Sequence, residues 1–241
     1  MKLTIIETGL PPKAIRADWP RYPKMFEALI RPHLPELHCE SVPVCEGAPF
    51  PDIAALDAVL VTGSAAGVYE DHPWMDPLMD FIREAGAARV PQIGVCFGHQ
   101  AIAAAMGARV EKSDKGWGLG RHNYDVCYKP GWMTGLDGDT FSLGVSHQDQ
   151  VLSRPDGAHT VAASDFTPYA ALAYDNMPAI SFQGHPEFSA GFCCALYNVR
   201  RGTAFSEVRV DEACGSLDVP VDNDLVGAWM ANFLMGTANA E

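Results

Sequence analysis

The stretch VPQIGVCFGHQAIAAAMG, residues 90–107, constrains this chain more than any other. Val90 to Val95 is an apolar run broken only by Pro91 and Gln92, the length of a buried strand. Gly94-Val95-Cys96-Phe97-Gly98 then turns sharply, and an alanine-rich segment of about three helical turns, at roughly 3.6 residues per turn, follows. Strand, tight turn and helix, with a glycine two places either side of a nucleophile, form a nucleophile elbow. The pattern is G-x-S-x-G with cysteine in place of serine. The turning residue must take a strained conformation, and side chains at the two glycine positions would collide with it. The new helix points its positive end at the sulfur, which favours thiolate over thiol. Cys96 is therefore the candidate nucleophile.

A cysteine nucleophile needs a base to take its proton and return it to the leaving group. The base needs a carboxylate to hold its tautomer and orientation. Both requirements meet at Ala179-Ile180-Ser181-Phe182-Gln183-Gly184-His185-Pro186-Glu187, a short buried-strand pattern that ends in a histidine and a glutamate. His185 is the candidate base and Glu187 its orienting partner, with Pro186 stiffening the link.

The rest of the chain supplies a frame for these two ends. Lys2–Thr8 reads as a strand, Pro23–Leu34 as a helix and Glu40–Val44 as a second strand. Ala58–Thr62 is a buried strand running into Gly63-Ser64-Ala65-Ala66-Gly67. Small residues there leave backbone N–H groups free to face a ligand, or make an ordinary tight turn. A helix from about Pro73 to Gly86 precedes the elbow. After Gly107 the pattern changes. Arg109–Lys112, Arg121–Tyr128, Thr140–Ser146 and His159–Ala163 are short strands separated by few residues, so they pair mostly antiparallel in a second, smaller sheet. Ala170–Tyr174 and Pro178–Gln183 close the main sheet. Helical pattern resumes from Phe188, through an acidic stretch at 207–224, to a last helix near Leu225–Leu234. The fold class is α/β: a mostly parallel central sheet flanked by helices in a flavodoxin-like three-layer arrangement, with a smaller antiparallel sheet. Residues 1–241 read as one domain, a core of about 1–190 and a helical C-terminal extension, 191–241.

Composition excludes several classes. A formal charge of −13 repels phosphate backbones and argues against nucleic-acid binding. No run approaches the roughly 18 apolar residues of a membrane span. MKLTIIETG reads as a first strand, not a signal peptide, so a cytoplasmic location and no membrane partner are expected. The seven cysteines show no C-x-x-C or Cys/His metal spacing, so free thiols, no metal and no cofactor are expected. Hydrophobic residues at 48% supply a sizeable core, and oligomerisation remains open.

GVCFGHQ at 94–100 and GHPE at 184–187, in this order and separation, resemble the class I glutamine amidotransferase domain. The elbow, the TGS turn at 62–64 and the SHQDQ segment at 146–150 are similar to the branch that holds the amidotransferase domain of GMP synthase and the plant γ-glutamyl peptidases. The resemblance implies a catalytic set of Cys96, His185 and Glu187, and an oxyanion hole from the backbone N–H groups of Gly63, Ser64 and Phe97. It also makes Gln100, Ser146, His147 and Gln148 substrate neighbours. On residue type alone His147 also fits a second base or a hydrogen-bonded structural histidine, and Gln100 a solvent-facing helix residue. The implied reaction releases ammonia from the glutamine side chain through a cysteine γ-glutamyl thioester. No Walker-type phosphate loop is present, so an acceptor reaction requires a separate synthetase as partner. A free-standing γ-glutamyl hydrolase or peptidase is the alternative, and a ligand-binding relative without turnover the non-enzymatic one.

Overall fold

The computed structural model describes residues 1–238. The last three residues of the expected extension, 239–241, lie outside the described residues. Eleven strands are described: β1 (Lys2–Ile6), β2 (His38–Val42), β3 (Ala58–Val61), β4 (Gln92–Val95), β5 (Val110–Lys112), β6 (Gly118–Val126), β7 (Thr140–His147), β8 (Asp149–Val151), β9 (Ala158–Ala163), β10 (Ala171–Tyr174) and β11 (Ala179–Phe182). The α-helices are α1 (Tyr22–Ile30), α2 (Met75–Ala87), α3 (Phe97–Ala105), α4 (Ala190–Asn198), α5 (Glu207–Ser216) and α6 (Asn223–Ala238).

Nine strands form one sheet in the order β2-β1-β3-β4-β11-β10-β9-β6-β7. The first five are parallel to one another, and each later pairing is antiparallel. Alternation along the strands sends Leu3, Ile5, Leu60, Ile93 and Val95 into a core beneath α1, α4, α5 and α6, and Ile6, Val59 and Val61 into a second core beneath α2 and α3. Helices therefore cover both faces, as the continuous apolar runs of β1, β3 and β4 require. Among the described residues no helix is long and apolar enough to cross a membrane.

The smaller antiparallel sheet differs in membership from the expectation. It holds only β5 and β8, whereas β6, β7 and β9 extend the main sheet. Hairpin-like spacing dictates antiparallel partners but not which open edge receives them. The edge of β11 accepts β10, and β9, β6 and β7 add beyond it, so the ladder groups of the added strands are paired and not left at a second edge. The first helix stops at Ile30, short of the prolines at 32 and 35.

Candidate active site

The C-terminal ends of β3, β4 and β11 lie side by side, the position where open α/β sheets bind ligands. Cys96 follows β4 directly, with φ 53° and ψ −103°. A non-glycine residue rarely holds such a backbone, and it does so here because both flanks are fixed. The Cys96 N–H donates to the Phe182 carbonyl at 2.8 Å, and its carbonyl accepts from the Gln100 N–H at 3.0 Å. The elbow glycines are sterically required. A Cβ at Gly94 would stand 2.5 Å from the Gly98 carbonyl oxygen, and one at Gly98 would press into the Val61 carbonyl. Phe97 opens α3, so its N–H has no partner within the helix.

His185 reaches the same point from β11. Its backbone N–H donates to the Gly144 carbonyl of β7 at 2.9 Å, and Gly184 permits that approach, since a Cβ there would fall 2.8 Å from Leu143 Cβ. The ring Nδ1 lies 2.7 Å from Glu187 Oε1, with both side chains buried. Phe188 stacks on the imidazole face, ring centres 3.9 Å apart and planes 5° off parallel. Burial works against a charged imidazole. The Glu187 carboxylate and the Cys96 sulfur outweigh it and raise His185 to about 10. The Glu187 Oε1 contact also assigns the Nδ1 proton and turns Nε2 away from the carboxylate.

Gly63 closes the third side. The position a Cβ would take at Gly63 lies 3.0 Å from His185 Cε1 and 3.8 Å from Cys96 Cβ, so glycine leaves the space where a reacting carbonyl would sit. Hydroxyls of Thr62 and Thr8 donate to the Gly63 carbonyl at 3.1 and 3.4 Å. The Ser64 hydroxyl donates to the Thr8 carbonyl at 2.8 Å and accepts from the Ala66 N–H at 3.1 Å. These bonds hold the turn rigid.

A cavity of about 990 Å³, counted to its open mouth, joins all of these groups. Gly63, Ser64, Cys96, Gln100, Ser146, His147, Gln148 and His185 line it. Gln100 is buried, and its amide nitrogen donates to the Asp149 carbonyl at 2.8 Å and to Gln183 Oε1 at 3.2 Å. His147 lies 3.2 Å through Nδ1 from the same Asp149 carbonyl. Burial, and next the nearby His122, hold it down to about 3. Glu187 and Phe97 stand behind the wall, in contact with His185 and Cys96 by chain position.

Four residues of the site carry no motif in the sequence. Gln183 spans the floor, with its amide nitrogen 3.7 Å from Cys96 Sγ. Its place just before Gly184-His185 was the available signal. Tyr22 lines the cavity from the start of α1 and packs on Phe188 at 5.7 Å. Its phenol is raised by burial and then by the charges of Glu187 and Cys96. Trp117 and Arg200 form the far wall. Only three-dimensional proximity reveals Tyr22 and Arg200, which come from opposite ends of the chain.

Known proteins give the same picture. The family described as "Glutamine amidotransferase class-I" matches residues 25–192. A glutamine amidotransferase-like protein of Schizosaccharomyces pombe is 28% identical over 187 residues, covering 76% of this chain and 74% of that protein. The glutamine-hydrolysing subunit of the GMP synthase of Methanosarcina mazei is 31% identical over 143 residues, covering 58% of this chain and 73% of that subunit. Gamma-glutamyl peptidase 4 of Arabidopsis thaliana is 30% identical over 145 residues, covering 57% of this chain and 56% of the peptidase. Among solved structures, a glutamine amidotransferase of Thermotoga maritima superposes with a TM-score of 0.76 at 17% identity, covering 97% of this chain and 98% of that one. One from Methylobacillus flagellatus gives 0.71 at 22%, covering 98% and 92%. At such identities the two structures speak to the fold.

Proposed function

The chain belongs to the class-I glutamine amidotransferase family, and from that premise we propose that it cleaves γ-glutamyl amides with Cys96 as nucleophile. One observation carries the reading: a cysteine held at positive φ at the start of a helix, beside a buried histidine that is itself bonded to a buried glutamate. The raised His185 favours its imidazolium form, the partner a thiolate requires.

The Cys96 sulfur attacks the side-chain carbonyl carbon of the γ-glutamyl group, and the carbonyl electrons move onto oxygen. The N–H groups of Gly63, Ser64 and Phe97 receive that oxyanion; loss of one such donor typically costs about 10²–10³ in rate. His185 gives its proton to the leaving nitrogen, the C–N bond breaks, and ammonia or an amine departs. A γ-glutamyl thioester remains on Cys96. His185, now neutral, takes a proton from water as the water oxygen attacks the thioester. The C–S bond breaks, releasing glutamate and restoring the thiolate–imidazolium pair. Glu187 keeps the imidazole in one tautomer throughout. Gln100, Ser146, His147 and Gln148 border the γ-glutamyl end of the substrate.

The similarity to the glutamine-hydrolysing GMP synthase subunit supports glutamine as substrate and a separate synthetase as recipient of the ammonia. The similarity to gamma-glutamyl peptidases supports a free-standing hydrolase. Both readings share the Cys96 chemistry, tested by following ammonia release from glutamine and amine release from a γ-glutamyl peptide. Cys96→Ala should abolish both activities, and full activity in that variant removes the mechanism.

A further inference from the structure

The cavity holds more positive charge than glutamine would match. Lys112 and Arg200 both line it, on a chain whose net charge is −13. Among the described residues, neither head group has a carboxylate within 4.0 Å. The two carboxylates of the wall, Glu70 and Asp149, have other contacts: Glu70 lies 3.1 Å from His72 Nε2, and Asp149 accepts the Tyr69 hydroxyl at 2.8 Å. Lys112 is the cross-strand neighbour of Asp149 in the small sheet. Asp149 also offers its carbonyl to Gln100. That end of the cavity thus presents one cation and one anion, the complement of an amino-acid head group.

Arg200 remains. Its guanidinium lies 4.9 Å above the Trp117 ring. Trp117 is itself fixed, packed edge-on against Phe205 at 5.3 Å, with its carbonyl accepting from Arg209. The stacked face restrains the guanidinium, so little freedom is lost when a carboxylate arrives. Glutamine carries a single carboxylate. A γ-glutamyl amino acid carries a second, on the amine that leaves.

We propose that Arg200, braced on Trp117, binds the carboxylate of the departing amine, so that γ-glutamyl amino acids and peptides are preferred over glutamine. The inference rests on the Cys96 reading of the site. It deepens that reading by naming the substrate class.

The test compares γ-glutamylglycine with γ-glutamylglycinamide, which differ only in the carboxylate of the leaving amine, with glutamine assayed beside them. The quantity read is the kcat/KM ratio of the acid to the amide. Taken within one protein sample, it is unaffected by an inactive fraction. A charge-assisted bond predicts a ratio of about tenfold or more in the native protein. Arg200→Ala and Arg200→Gln should bring it near one, with Arg200→Lys between. A native ratio near one, or a ratio that survives both Arg200→Ala and Arg200→Gln, overturns the subsite and leaves the γ-glutamyl chemistry standing. No turnover of any of the three compounds removes the γ-glutamyl reading, and the subsite with it.

Discussion

Two strand ends carry a buried histidine into the same cavity and hold it in opposite charge states. At the end of β11, His185 is raised to about 10; at the end of β7, His147 is lowered to about 3. Burial is the first influence on both, and it disfavours the imidazolium in each. The difference is the partner. His185 meets a buried carboxylate two residues on, whereas His147 meets only a backbone carbonyl and a neighbouring histidine. Low exposure therefore says nothing about a histidine's role until its partner is known.

The largest test of the contrast is to remove each ring. His185→Asn should lower γ-glutamyl turnover by at least about 10³-fold, the scale of losing a base from a coupled set. His147→Asn should stay within about tenfold, because a neutral buried ring contributes by packing and one hydrogen bond. Equal losses would break the comparison and make His147 a second base. Next comes the partner itself. Glu187→Gln should lower kcat by about 10²–10⁴-fold. Because Glu187 raises His185, the alkaline limb of the pH–rate profile should move to lower pH in this variant.

A smaller effect is expected where the two strand ends touch. Gly184→Ala sets a Cβ against Leu143 and should cost about 1–3 kcal/mol, the usual range for overpacking, read from the denaturant midpoint. The smallest is the pH dependence of stability. A histidine raised on folding contributes fully below its unfolded value near 6.5, and that contribution is lost as pH rises through about 10. The melting temperature should thus decline between pH 6.5 and 10, and less so in Glu187→Gln. His147 acts with the opposite sign. Its folded value of about 3 means that stability is lost as pH falls from 6.5 towards 3, a slope that His147→Asn should reduce.

The parts of the fold legible in the sequence were those written in local pattern. The apolar runs of β1, β3, β4 and β11 and the stripe of α2 announce themselves, because a strand buried on both faces tolerates almost no polar residue. Cys96, His185 and Glu187 were legible for a related reason: each sits in a turn whose neighbours must be small or rigid. Register and sheet membership were not. Nothing in Gly118–Val126 or Thr140–His147 says that these strands extend the main sheet, since that depends on which edge is open when they fold. Arg200 was equally silent, an arginine in a polar stretch until Trp117 is folded beneath it.

The chain by itself determined a cysteine on a strand-to-helix turn and a histidine–glutamate pair on a later strand, because steric and hydrogen-bonding demands at these points act over a few residues. Tertiary structure decided that the two meet. Parallel pairing of β4 with β11 places residue 96 beside residue 185 through hydrogen bonds between distant segments. It also decided which buried histidine is charged, because ionisation answers to the nearest carboxylate in space, wherever the chain carries it.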